Sequence, residues 1–271
     1  VRRTLDDVAA SLAINYRLSD EVSLYGLATR AYKMPALDEF LNTDGQEDAD
    51  SFDVSTVRSI EAGVKYASGI YSVTLNGFLT ELRNVLSQGV ETDPVTGAPD
   101  WVIRRSPETR SFGAELEVTA QPNPALTVAA NATVLKAKFA DCPEGCPGGA
   151  DLGTVLNGVP PLIGNLSATY TLPMGASLLA DFHYVHRRFS DFEVDGVRPE
   201  LPTYHYLNLG ATYPTAVPGL TLSATLQNVY QSKGLEEGNP RLPSVGGRTS
   251  DFFLARPILP RRLLVSLSYD F

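Results

Sequence analysis

Apolar and polar residues alternate singly along most of this chain. Side chains on an extended strand point to opposite faces with a period of two. Residues 261–271 therefore place Leu263, Val265, Leu267, Tyr269 and Phe271 on one face, and Arg262, Leu264, Ser266, Ser268 and Asp270 on the other. Residues 7–18 set Leu12, Ile14 and Tyr16 against Ser11, Asn15 and Arg17 in the same way. The pattern recurs over 21–31, 55–67, 70–85, 101–120, 125–139, 162–172, 177–189, 203–213 and 220–231. It predicts about eleven strands and an all-β chain, with one or two helical turns at most near 35–41.

The connections between these strands sort by length. Short polar or Gly/Pro turns stand at 19–21, 68–69, 121–124, 173–176 and 214–219, and long segments at 32–53, 86–101, 140–160, 190–202 and 232–260. The two kinds alternate strictly. A transmembrane barrel has short turns at one end and long loops at the other, with an apolar face toward lipid and a polar face toward the lumen. A sandwich has no reason to sort its loops. The expected fold is thus an antiparallel up-and-down transmembrane β-barrel, whose last strand runs down to the periplasm and whose long loops face outward. Single-chain bacterial barrels have even strand numbers, so about eleven strands are expected to be part of a larger wall that continues upstream of Val1.

Composition changes this picture little. The 271 residues carry a net charge of −9, which argues against a nucleic-acid partner. Hydropathy is near neutral and no apolar run reaches the ~18 residues of a membrane helix. Barrel strands average their two faces, so neither observation bears on a barrel. The chain opens on Val1 without a charged region followed by an apolar one, so a signal peptide is expected to be removed or to lie upstream.

Several stretches carry a family resemblance. YGLATRAYKMPALDEF (25–40) resembles a strand ending in Arg-x-aromatic-basic-x-Pro-x-Leu, and TRSFGAELEVTAQPNPALTVAANATVLKAKFAD (109–141) resembles a Gly-x-Glu-x-Glu strand, a turn and the next strand. LPTYHYLNLGATY, LQNVYQSKGLEEGNPR and ILPRRLLVSLSYDF resemble three closing strands. In this order and spacing they are similar to the TonB-dependent receptors, active transporters of the Gram-negative outer membrane. The resemblance implies that residues 1–271 are the C-terminal half of a 22-stranded barrel around a plugged lumen. It further implies import of a scarce extracellular ligand, an iron-siderophore foremost, with cobalamin, oligosaccharides and other metals as further cargoes. The TonB complex would drive that import through a plug and an N-terminal segment expected upstream. The strand closing on Phe271 looks like the signal read by the barrel assembly machinery, and the wall would meet outer-membrane lipid and lipopolysaccharide.

Candidate chemistry is sparse. Cys142 and Cys146 lie in DCPEGCPGG within a long outward loop, where a disulfide across three residues is the preferred reading in an oxidising compartment. A metal there would need further ligands, and none stands nearby. The acidic run Asp44, Glu47, Asp48, Asp50 and Asp53 is either a cation site or a solvated loop. Trp101, Arg104, Arg105, Arg187 and Arg188 fall near outward strand ends and are candidates for an anionic ligand or for lipopolysaccharide phosphates. Glu115 and Glu117 share the lumen face, whereas His183 and His186 fall on opposite faces and so share no metal. Catalytic and cofactor motifs are absent, which predicts no enzyme and no cofactor. The rival functions are a passive porin and a soluble all-β carbohydrate-binding or adhesion module, the latter requiring the apolar faces to pack sheet on sheet.

Overall fold

The computed structural model describes residues 5–35, 54–92, 99–105, 107–141, 153–190, 199–238 and 255–271. Eleven strands form one antiparallel sheet in chain order. They are β1 (Ala10–Arg17), β2 (Val22–Lys33), β3 (Ser55–Ala67), β4 (Tyr71–Arg83), β5 (Glu108–Asn123), β6 (Leu126–Asp141), β7 (Leu162–Thr171), β8 (Ser177–Val185), β9 (Tyr204–Pro214), β10 (Leu220–Gln227) and β11 (Arg262–Tyr269). Each pairs with its sequence neighbours, and β1 and β11 form the two edges. Successive strands reverse direction, so all the short turns emerge at one end of the sheet and all the long connections at the other.

Register carries the alternation across the whole wall. Leu12 stands opposite Ala28, Ala28 opposite Ile60, Ile60 opposite Leu79, and Leu79 opposite Phe112. Leu166, Phe182 and Leu207 continue the same face, as do Leu222 and Leu267. These rows are bare: Ile14 is 63% exposed, Ile60 62%, Val134 58% and Val265 63%. A soluble protein rarely shows an apolar patch above a few hundred Å², so a face like this requires lipid. Aromatic residues gather on it at the short-turn end, where Tyr16, Tyr66, Tyr71, Tyr170, Tyr213 and Tyr269 lie near strand termini. Tyr269 stacks on Phe271 at 6.5 Å. This is the position of an interfacial girdle.

The interior typical of a soluble domain is small here. Among the described residues the buried apolar cluster is Val185, Tyr204 and Ile258, with Tyr206 packed against it. It sits under the long connections, and the apolar rows do not meet one another in a second layer. The short turns are closed by side-chain acceptors. Ser19 Oγ takes the Val22 N–H at 3.1 Å, Ser68 Oγ the Tyr71 N–H at 3.1 Å, and Asn123 Oδ1 the Ala125 N–H at 2.9 Å.

The long connections differ from their sequence expectation. Leu86–Thr92 pairs antiparallel with Pro99–Arg105 as a separate ribbon, so the single strand expected over 101–120 is two elements. Pro107 stands between them and has no N–H for the ladder. The strand expected over 177–189 ends at Val185, and Arg188–Phe189 pairs instead with Glu200–Leu201. The strand expected over 220–231 ends at Gln227, because Asn228 and Gln231 adopt φ of 48° and 54°. Leu235–Gly238 pairs with Ala255–Pro257 in a third small ribbon. The helical turns expected near 35–41 fall almost wholly outside the described residues.

Candidate functional site

The face opposite the apolar rows is polar and internally hydrogen-bonded. Tyr25 on β2 donates its hydroxyl to Glu61 Oε1 on β3 at 2.8 Å, and the Asn76 amide on β4 donates to the same oxygen at 2.8 Å. The Asn76 amide also reaches Glu115 Oε2 on β5 at 3.4 Å, and Lys65 Nζ lies 4.8 Å over the Tyr25 ring. Asn76 Oδ1 is buried without a hydrogen-bond partner among the described residues. Glu117 stands opposite Asn131. Asn165 donates to Asn131 Oδ1 at 2.8 Å and contacts His183 Nδ1 through its own oxygen. The His183 ring lies 5.0 Å from that of Tyr206, and Asn208 donates to Asp181 Oδ2 at 3.2 Å. Two polar runs thus connect sideways, one across β2 to β5 and one across β6 to β9.

At the long-connection end this face carries a clamp. Arg188 is buried and donates to the carbonyls of Leu235, at 3.3 Å, and Glu236. Its guanidinium lies 5.9 Å over the Tyr204 ring, and its Nη1 has no partner among the described residues. Gly234 permits this closeness, since a Cβ there would stand 2.4 Å from the Tyr204 ring. The connections 186–203 and 228–261 are therefore tied together at their base, beside a cavity of about 180 Å³ lined by Tyr206, Asn208, Asn228, Glu236 and Ile258.

The outward face carries ions above its apolar rows. Arg30, Arg58, Glu81, Arg110 and Lys138 stand opposite one another on successive strands, in phase with the lipid-facing positions. Arg110 pairs with Glu81 at 2.6 Å and Arg83 with Glu108 at 3.0 Å. Asp7, ahead of β1, accepts from Arg30, and this bond holds its carboxyl below the ordinary 3.8, with help from the Val8 N–H at 2.6 Å. The sequence reading did not single out this belt. Its signal was present, because Arg58 precedes Ile60 by two residues, Glu81 follows Leu79 by two and Arg110 precedes Phe112 by two.

Of the predicted site residues, Arg187 and Arg188 line one cavity together. Arg187 is exposed and lies 3.6 Å from Glu200, whereas Arg188 turns inward to the clamp. Trp101, Arg104 and Arg105 lie on the Pro99–Arg105 ribbon opposite Val90, Ser87 and Leu86. His183 faces the interior and His186 bonds the Tyr184 hydroxyl at 3.0 Å on the other side, as the alternation requires. Cys142, Cys146 and the acidic run at 44–53 lie outside the described residues.

The family model "TonB dependent receptor-like, beta-barrel" matches residues 2–229. Comparison with curated protein sequences gives no match. Among solved structures, the chain superposes on the copper transporter OprC with a TM-score of 0.75 at 14% identity, covering 97% of this chain and 39% of that one. For the ferric yersiniabactin uptake receptor FyuA from Yersinia pestis the TM-score is 0.73 at 16% identity, covering 97% and 37%. For the pyoverdine outer membrane receptor FpvA from Pseudomonas aeruginosa PAO1, bound to pyoverdine, it is 0.70 at 18% identity, covering 97% and 36%. The chain spans less than two fifths of the length of each.

Proposed function

Because this chain belongs to the TonB-dependent receptor β-barrel family of the bacterial outer membrane, we propose that it is the C-terminal part of the barrel of an active-transport receptor. The receptor captures a scarce extracellular ligand on its outward side, and import is driven by the TonB complex through a plug carried by the rest of the protein. The observation that supports this most is the polar interior face. Asn76 Oδ1 and Arg188 Nη1 are buried there without partners among the described residues. A buried polar group left unpaired costs roughly 1–3 kcal/mol. The polar rungs from Tyr25 to Asn208 suit a solvated, hydrogen-bonding plug better than an empty pore. A passive porin gives no reason for a match to this family, and a soluble adhesion module gives none for the bare apolar rows.

An iron-siderophore is the proposed cargo, in keeping with the uptake receptors among the structural neighbours. The copper transporter among them makes copper the competing cargo. The test is uptake of radiolabelled ferric siderophore by cells carrying the full-length gene, with and without a proton uncoupler. Uncoupler-sensitive accumulation of iron is expected. Accumulation that survives the uncoupler, or that follows copper instead, overturns the energised mechanism or the cargo respectively.

A further inference from the structure

We propose that the outward face at the tops of β5 and β6 holds a phosphate-bearing acyl lipid of the outer leaflet. A cavity of about 590 Å³ lies there, within the size range of small-molecule sites. Phe112, Ala114 and Val134 wall it from the lipid-facing rows, and Val155, Val159 and Pro161 wall it from the returning chain. That segment is held in place by backbone bonds, Leu156 N–H to Ala137 O at 2.9 Å and Gly158 N–H to Phe189 O at 2.8 Å. The cavity is therefore part of the wall rather than a gap between loose loops.

Three cations line the same cavity, Lys136, Arg187 and Arg188, together with the Glu200 carboxylate. Arg188 is engaged by the carbonyls of Leu235 and Glu236, which leaves Lys136 and Arg187 for a ligand. Lys136 stands opposite Phe112, level with the top of the apolar row, and Lys138 opposite Arg110 one rung higher. Lys136 has no ion pair among the described residues. Among the described residues the Arg187 guanidinium pairs with Glu200 at 3.6 Å, with the two side chains 64% and 46% exposed. A pair so open to solvent contributes little, so its guanidinium is available to a stronger anion. An apolar cavity at the upper limit of a lipid-facing row, with a lysine and an arginine at its rim, matches an amphiphile whose chain enters the cavity and whose phosphate takes charge-assisted hydrogen bonds. A free phosphate would leave the apolar walls unused, and a neutral lipid would offer the two cations no anion.

This proposal rests on the outer-membrane placement of the wall and is independent of the transported cargo. It is tested on the full-length receptor released in mild detergent, by native mass spectrometry with added phosphatidic acid, chain-matched diacylglycerol or inorganic phosphate. Phosphatidic acid should be retained and the other two should not. Replacing both cations, Lys136→Gln with Arg187→Gln, should lower retention at least about tenfold, since two charge-assisted contacts are lost. Ala114→Phe, which fills the cavity, should lower it comparably, whereas Lys136→Arg and the distant Arg17→Gln should retain lipid as the parent does. Equal retention by the parent and the double variant overturns the proposal, as does displacement of the lipid by inorganic phosphate at equal concentration. If the double variant fails to assemble, Ala114→Phe decides: undiminished retention there also overturns it.

Discussion

Leu209→Arg probes the lipid-facing assignment at its most sensitive point. Leu209 lies at the middle of β9, paired with Ala180 and Leu226 on the apolar face, and is 40% exposed. On the same face His205 and Tyr213 stand four residues away on either side. At ~3.3 Å per residue that is roughly 13 Å along the strand, and a tilt of ~45° leaves about 9 Å of depth to either position. Since the apolar band of such walls is ~25 Å tall, Leu209 sits near its centre. A guanidinium there costs about 2–4 kcal/mol, or roughly thirty- to nine-hundred-fold in the folding equilibrium. The matched control is Ser167→Arg. Ser167 pairs with Asp181, which in turn pairs with Asn208, so the new cation lies at the same height on the polar face beside a carboxylate. The full-length receptor, refolded into lipid vesicles, is followed by its urea midpoint and by the heat-modifiable band of folded barrels. Leu209→Arg should lower both the midpoint and the folded yield, and Ser167→Arg should stay within about 0.5 kcal/mol of the parent. Equal behaviour of the two variants would refute the assignment of faces.

Other perturbations test single contacts. Glu61→Leu removes the acceptor shared by the Tyr25 hydroxyl and the Asn76 amide; urea unfolding should show a loss of about 1–3 kcal/mol, and Glu61→Gln, which keeps a carbonyl oxygen, most of the parent stability. Gly219→Ala should destabilise the β9–β10 turn by at least ~1–2 kcal/mol, because Gly219 has φ +79° and a Cβ would stand 2.3 Å from Asp270 O. The same unfolding assay reads it, and an unchanged midpoint would show that the turn tolerates a Cβ. The Asp7 to Arg30 bond should respond to acid. Arg30 lowers the folded-state carboxyl below 3.8, so the bond's contribution is complete above that value and is lost as pH falls through the lowered one. Amide exchange at residues 8–10, normalised for intrinsic rate, should therefore rise only in that acid window, and Arg30→Gln should abolish the step.

The wall was legible in the sequence because two solvents write it. When lipid lies on one side and water or protein on the other, each strand must alternate with a period of two, and the register must hold from strand to strand or every side chain changes face. Leu12, Ile60 and Leu79 show that constraint without any knowledge of their partners, as do the sorted turns. The long connections do not separate lipid from a lumen, and no such constraint acts on them. Nothing in the alternation distinguishes Leu86–Thr92 from a coil, and its pairing with Pro99–Arg105 exists only as a contact between two segments. Pro107 was the one local mark that the strand through Trp101 must break before β5. Sequence alone groups Arg187 and Arg188 with Trp101, Arg104 and Arg105 because all fall near outward strand ends. The alternation that ends at Val185 does not constrain Arg187 and Arg188, and they take different partners, Arg187 the Glu200 carboxylate and Arg188 the carbonyls of Leu235 and Glu236, while lining one cavity. The ionic belt was overlooked for the reverse reason. Arg58, Glu81 and Arg110 keep the phase of the apolar rows but not their chemistry, and a rule that equates phase with polarity assigns them to neither face. Depth supplies the missing variable. A face in contact with lipid is apolar only across the hydrocarbon, and beyond it the same phase must turn ionic to meet headgroups, which is where Lys136 and Lys138 succeed Val134 on β6.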